Sequence, residues 1–310
     1  MRGQRSAAST LSVTAVPYEK PPPRETLGRR LSTYFYRHPR VALALLLAVP
    51  LSLFVVVYLG SLLVLLMASV WNVDPFTSQV VHTFTLDNFR RLFHEDVYRT
   101  VAWRTIKMAV LVTVADAVLA FPIAYYMARV ASPRTRNLLV VAVLMPLWAS
   151  YLVKAYAWRT ILSGGGVLNW ALNPFGLSFN GYSTVGLWLV FTYLWLPFMI
   201  IPIYAGLERI PESLLEASAD LGGRSLRTFF KVTLPLAFPA VVAGSIFTFS
   251  LTLGDYIAPT LITSQQFIGT LIYSNYGTNL PVAAAFTLVP IAVMIVYLLV
   301  AKRLKAFEAL

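Results

Sequence analysis

A chain of 310 residues that is 58% hydrophobic and only 12% charged, with a mean hydropathy of +0.69, is too apolar for a soluble globular domain. Its net charge of +12 would suit nucleic acid on a soluble surface, but Lys and Arg here flank apolar runs instead of forming a stripe; anionic membrane lipid is the expected electrostatic partner, and nucleic acid is not. Cysteine is absent, which removes disulfides, thiolate metal sites and cysteine nucleophiles.

Residues 1–40 are basic, include the run Pro21–Pro23 and hold too little apolar surface to fold, so a disordered tail is expected. The apolar segment 41–70 is too long for a signal-peptide core and reads as an uncleaved first transmembrane helix, long enough to tilt. Residues 71–103 are expected as an external segment, 104–303 as the transmembrane core and 304–310 as a short terminus. A membrane helix needs about 20 apolar residues. Six spans follow: 41–70, 104–128, 137–160, 184–207, 236–257 and 282–301. Residues 163–182, rich in glycine and asparagine, are expected as an external loop. Pro50, Pro122, Pro146, Pro197, Pro202, Pro239 and Pro290 fall inside spans. Each frees a carbonyl that a neighbouring helix or a water-lined cavity must satisfy, which suits the packed, bent helices of a transporter.

Orientation follows from the basic residues beside the spans. The leading tail, the loop carrying Arg129, Arg134 and Arg136, the charged stretch after the fourth span, and Lys302, Arg303 and Lys305 all share one side if there are six crossings. Residues 258–280, on the opposite side, contain no Lys or Arg; 71–103 dilutes the signal with Arg90, Arg91 and Arg99 balanced by Asp87, Glu95 and Asp96. Both termini and the charged stretch are therefore expected in the cytoplasm.

That stretch, EASADLGGRSLRTFFKVTLP from Glu216 to Pro235, reads as a helical hairpin. Pro211 suits the opening turn, because the N–H it lacks would be unsatisfied there. Glu212, Glu216 and Asp220 recur every four residues on one face. Gly222 and Gly223 are expected to supply the left-handed backbone that ends the first helix. The second arm restarts near Ser225, with Leu226, Phe229 and Phe230 as its apolar residues, and Pro235 is expected to mark the break before the fifth span.

The spacing resembles the EAA loop of ABC-importer permeases, here Glu216, Ala217 and Ser218, then Gly222, then Val232, Leu234 and Pro235, within 208–235. Ser218 and Val232 depart conservatively from the usual alanine and isoleucine. The blocks KAYAWRTIL (154–162), GVLN (166–169), LPFMIIPIYAGLERI (196–210) and LTLGDYIAPTLI (251–262) are similar to spermidine/putrescine importer permeases; the likeness covers roughly residues 84–303. It implies an all-α membrane protein of the type I importer fold, six transmembrane helices with a cytoplasmic coupling hairpin between the fourth and fifth, in a bacterial inner membrane. It implies as partners separate ATP-binding subunits, a second permease subunit of different sequence and an external substrate-binding protein. It also implies that Glu216, Ala217, Asp220, Gly222, Leu234 and Pro235 couple the chain to the ATPase. The chain itself has no GxxxxGK[ST] loop and no HExxH, and its histidines are His38, His82 and His94. No catalytic site, metal or cofactor of its own is expected, with ATP bound by the partner subunit.

A cationic solute asks for carboxylates and aromatic faces along its path. Asp116 lies near the middle of the second span, where a charge costs on the order of 2.5–3.5 kcal/mol unless it lines a cavity or pairs; it either serves the solute or pairs with Lys107 or Lys154. Asp255, inside the LGDY block, either serves the solute or caps a helix end. Tyr156, Trp158, Trp195 and Tyr256 are the aromatic candidates for the path, with Trp148 and Tyr151 nearby. Polyamine is the expected cargo. Opines or amino-acid-like solutes are the alternative; an ion-coupled secondary transporter would call for more embedded ionisable residues and inverted repeats, and neither is evident.

Overall fold

A computed structural model describes residues 35–74 and 76–303; most of the basic tail and the terminus 304–310 lie outside the described residues. The chain divides into two units, residues 1–61 and 62–310. Helix α1 (Pro39–Ala68) begins with a proline and contains a π-helical segment, Phe54–Leu59. Its outward side chains are apolar nearly all round, as in a helix that lies in lipid.

Beyond the end of α1, the second unit holds a short hairpin, β1 (Asn72–Val73) and β2 (Val80–Val81), antiparallel with Asn72 opposite Val81. Then come α2 (Asp87–His94), α3 (Asp96–Val130), α4 (Pro133–Trp148), α5 (Tyr151–Ile161), α6 (Val167–Leu172) and α7 (Thr184–Glu208). These are followed by α8 (Glu212–Asp220), α9 (Ser225–Gly254), α10 (Ile257–Ile262), α11 (Ile268–Tyr276) and α12 (Leu280–Arg303).

Helices α3, α7 and α9 pack on one another and form the core. On α3, Val112, Asp116, Ala120 and Ala124 recur every four residues, so they make one buried stripe. Val112 shares a buried cluster with Leu187, Val190 and Phe191, and Ala120 shares another with Met199 and Ile200. Between α7 and α9 the backbones approach closely at two glycines, as small residues allow in membrane bundles. A Cβ on Gly206 would stand 2.3 Å from the Ala240 Cβ, and one on Gly244 would stand 2.7 Å from the Met199 Sδ. Gly206→Ala is therefore expected to cost about 1–3 kcal/mol through overpacking, lowering the melting temperature in detergent by several degrees relative to Gly164→Ala, whose Cβ meets nothing. Equal melting of the two variants would show that the helices part freely.

The third expected span, 137–160, is not one helix: α4 and α5 meet at 93°. Ala149 and Ser150 are extended between them (ψ 139° and 135°). A hydropathy window averages across two such residues, so it reads the pair as one run. Among the described residues, five helices are long and apolar enough to cross a membrane, or six if this bent pair is one crossing. Span ends also shift: α3 starts at Asp96, and the fifth span ends at Gly254, leaving Asp255 and Tyr256 beyond it. The expected external loop 163–182 contains helix α6.

Candidate functional site

Two features stand at opposite ends of the core. At one end α8 leaves α7 through Pro211, which sits one residue before the helix (φ −60°, ψ 139°). Glu212, Glu216 and Asp220 all face outward on it. The helix stops in a Schellman motif: Gly223 N–H donates to Ser218 O (2.8 Å) and Gly222 N–H to Ala219 O (2.8 Å). Gly222 has φ +75°, the left-handed conformation glycine adopts without strain. Gly223 does not share it. Its role is close approach, since a Cβ there would lie 2.6 Å from Ser218 O and 3.0 Å from the Thr228 hydroxyl.

The arms of the hairpin are tied by Ser218 Oγ and Thr228 Oγ1 at 2.8 Å, which gives the serine at the third motif position a use that alanine would lack. The second arm does not break at Pro235. Proline cannot donate to the carbonyl four residues back, and the ladder before it widens into a π-helical segment, Phe229–Thr233, which carries the helix on into the span. Phe229 turns inward and meets the edges of Phe121 and Tyr125 at 5.4 and 6.1 Å. Leu221, Leu226 and Phe230 remain 89%, 75% and 61% exposed.

The base of the hairpin is held by residues that looked, in the sequence, like topology signals only. Arg129 Nη2 donates to Leu207 O (2.5 Å) and Ile210 O (2.7 Å), capping the carbonyl end of α7. Arg136 Nη1 pairs with Glu208 Oε1 at 3.2 Å, and the Tyr204 hydroxyl donates to the same oxygen at 3.1 Å. Their charge was legible, but these carbonyl partners lie some 80 residues away in sequence (separations of 78 and 81), beyond any local pattern.

At the far end of α9, 30 residues and so about 45 Å away, an open groove of about 350 Å³ is lined by Trp195, Ser250, Leu251, Asp255 and Tyr256 among others. Asp255 Oδ1 accepts the N–H groups of Ile257 (2.8 Å) and Ala258 (3.1 Å), and Oδ2 accepts the Tyr151 hydroxyl. The capping alternative is thus realised, at the start of α10, while the same carboxylate borders the groove. Gly269 backs this turn so closely that a Cβ would come within 2.4 Å of Asp255 O. The Tyr151 ring stacks on Trp195 (6.0 Å, 11°), and Tyr256 stacks on Tyr273 (4.6 Å, 16°).

The groove therefore gathers Asp255, Tyr256 and Trp195 but not the other candidates for the path. Trp158 packs against Tyr193 (5.2 Å) and the core, and Tyr156 is exposed on α5. Asp116 is fully buried on the α3 stripe, and neither of its oxygens has a hydrogen-bond partner among the described residues. Pairing with Lys107 or Lys154 is not seen; Lys107 lies over the Trp103 ring instead, at 5.2 Å. Tyr151 and Gly269 buttress Asp255 from behind the groove, and Tyr273 buttresses Tyr256. Only the fold brings them there.

The family model described as "Binding-protein-dependent transport system inner membrane component" matches residues 120–307, which include both the hairpin and the groove. The chain belongs to this family. It is a permease subunit of an ABC importer, a multi-pass membrane protein and a transport subunit. It is 50% identical over 307 residues to the "Inner membrane ABC transporter permease protein YdcU" of Escherichia coli (strain K12), covering 93% of this chain and 97% of that one. It is 30% identical over 214 residues to the "Spermidine/putrescine transport system permease protein PotB" of Haemophilus influenzae, covering 66% of this chain and 73% of the relative. Among solved structures, a bacterial alginate ABC transporter in complex with an alginate pentasaccharide-bound periplasmic protein superposes with a TM-score of 0.69 at 19% identity, over 90% of this permease and 98% of that chain. The fold is that of type I ABC importer permeases, as the EAA spacing implied.

Proposed function

We propose that this permease carries a small cationic amine of the polyamine type inward past the Asp255 groove, driven by ATP hydrolysis on separate subunits that dock on the Glu212–Pro235 hairpin. The observation that carries the cargo assignment is the fixed carboxylate of Asp255 beside Trp195 and Tyr256 in one open groove. A carboxylate supplies the ion-pairing half of an amine site and the aromatic faces the cation–π half, worth about 0.5–2 kcal/mol per contact. The similarity to spermidine/putrescine permeases supports the same class. The chain binds no nucleotide itself in this reading. Its partners are two ATPase subunits, a second permease of different sequence and a binding protein outside the inner membrane, and both termini and the hairpin face the cytoplasm.

Reconstitution with the cognate partners tests the cargo. ATPase activity should rise when the binding protein is loaded with spermidine or putrescine and should not rise with amino acids or opines. Stimulation by the latter alone would replace polyamine with an amino-acid-like solute.

A further inference from the structure

The segment that diluted the orientation signal, Arg90 to Lys107, has no role in transport as described. It lies at the end of the core opposite the hairpin, because the other end of α3 carries Arg129 to the exit of α7. Helix α2 places Phe89, Leu92 and Phe93 on one face and Asp87, Arg90, Arg91 and His94 around the rest, the pattern of a helix lying in a membrane interface. Asn88 pins it, donating to Ser69 O (3.0 Å) and Trp71 O (2.8 Å).

Beside α2, against the start of α3 and the first half of α12, runs a trough of about 450 Å³ walled by Phe89, Phe93, Trp103, Ile106, Val289 and Val293. That volume falls in the range of small-molecule sites, about 300–1,000 Å³. A second depression, about 480 Å³, is formed by Arg99, Thr100, Trp103, Arg104 and Lys107. The two share Arg99 and Trp103, so an apolar trough opens directly onto a cationic one. The three cations are weakly engaged. Arg99 pairs with Asp96 at 3.0 Å where both side chains are largely exposed, a setting in which such pairs contribute little. Arg104 donates through Nη1 to Gln266 O (3.0 Å), and Lys107 lies over the Trp103 ring with no ion pair among the described residues.

We infer that the trough and the basic depression together form a site for one anionic phospholipid, its acyl chain against Phe89, Ile106 and Val289 and its phosphate on Arg99, Arg104 and Lys107. Charge complementarity selects this occupant. A second apolar helix would fill the trough but leave three cations facing it, and a zwitterionic lipid would offer them no net charge. Trp103, wedged where the two depressions meet, sits where indoles concentrate at the boundary of hydrocarbon and headgroup. The inference is independent of the cargo.

The test uses the whole transporter, reconstituted in nanodiscs of equal phosphatidylglycerol and phosphatidylcholine, re-extracted and examined by native mass spectrometry. Phosphatidylglycerol should remain bound in preference to phosphatidylcholine. The Arg99→Gln, Lys107→Gln double variant should reduce its retention by about fivefold per charge removed. Val289→Trp, which fills the trough with the cations intact, should reduce it as well, separating a lipid from a free phosphate held by the cations alone. Equal retention of both lipids, no retained lipid because protein covers the trough in the assembly, or retention unmoved by both variants would each overturn the inference.

Discussion

Gly222→Asp is expected to reduce solute uptake by the reconstituted importer at least about tenfold while the permease still inserts and assembles. The site has room for a side chain: a Cβ at Gly222 meets nothing within 4 Å. Two other effects decide the outcome. The backbone there is left-handed (φ +75°), a region that costs an ordinary L-residue about 1–2 kcal/mol and asparagine or aspartate less. The new carboxylate also stands beside Leu221, on the exposed apolar tip of the hairpin. If the ATPase subunit covers that tip, an unpaired charge is desolvated, and such charges cost about 2–5 kcal/mol, well over a tenfold effect. Gly222→Asn separates the two effects, because it tolerates the same backbone without the charge and should retain most of the uptake. Wild-type uptake in Gly222→Asp would remove the hairpin tip from the docking surface. A loss in Gly222→Asn as large as in Gly222→Asp would assign the defect to the backbone turn.

The second large effect is expected at Asp255. Asparagine caps helices about as well as aspartate, and Asp255→Asn keeps an oxygen for the N–H groups of Ile257 and Ala258. It removes the charge. If Asp255 only caps α10, the variant should behave as wild type. If it meets an amine, stimulation of ATPase activity by the amine-loaded binding protein should fall about tenfold or more, the scale of a lost charge-assisted hydrogen bond at about 1.5–3 kcal/mol. Basal activity and melting temperature should change little. A parallel fall in stimulated and basal activity would place the residue in the scaffold alone.

The hairpin was legible because its information is local. A glycine after a helix of known phase and acidic residues at four-residue spacing each act through neighbours in sequence. The left-handed turn at Gly222 follows from that spacing. The break expected at Pro235 does not occur, because a π-helical segment carries the helix on. What escaped was non-local or hidden by averaging. The turn at Ala149–Ser150 carries no charge and no glycine, so an apolar window passes over it. Arg129 could be counted for orientation, yet its grip on Leu207 and Ile210 depends on how α3 and α7 cross. The two readings of Asp255, cap or ligand, were not separable from composition because one carboxylate does the first while facing the groove of the second. For Asp116, no lysine reaches it on the buried stripe between Val112 and Ala120, which the sequence spacing alone did not exclude.

The Arg129 clamp has a mechanical consequence. With one guanidinium joining the last turn of α3 to the exit of α7, and Ser218 bonded to Thr228 at the root of α9, a push on α8 reaches three helices at once. Those ties resist splaying at that end, so in the proposed coupling the three helices would swing together. Along a helix of about 45 Å, a swing of about 5° moves the far tip by about 4 Å, and that tip carries Asp255. Under the proposed docking, a small stroke at the hairpin would be amplified at the groove, with leverage set by helix length and by one arginine's hold on two carbonyls.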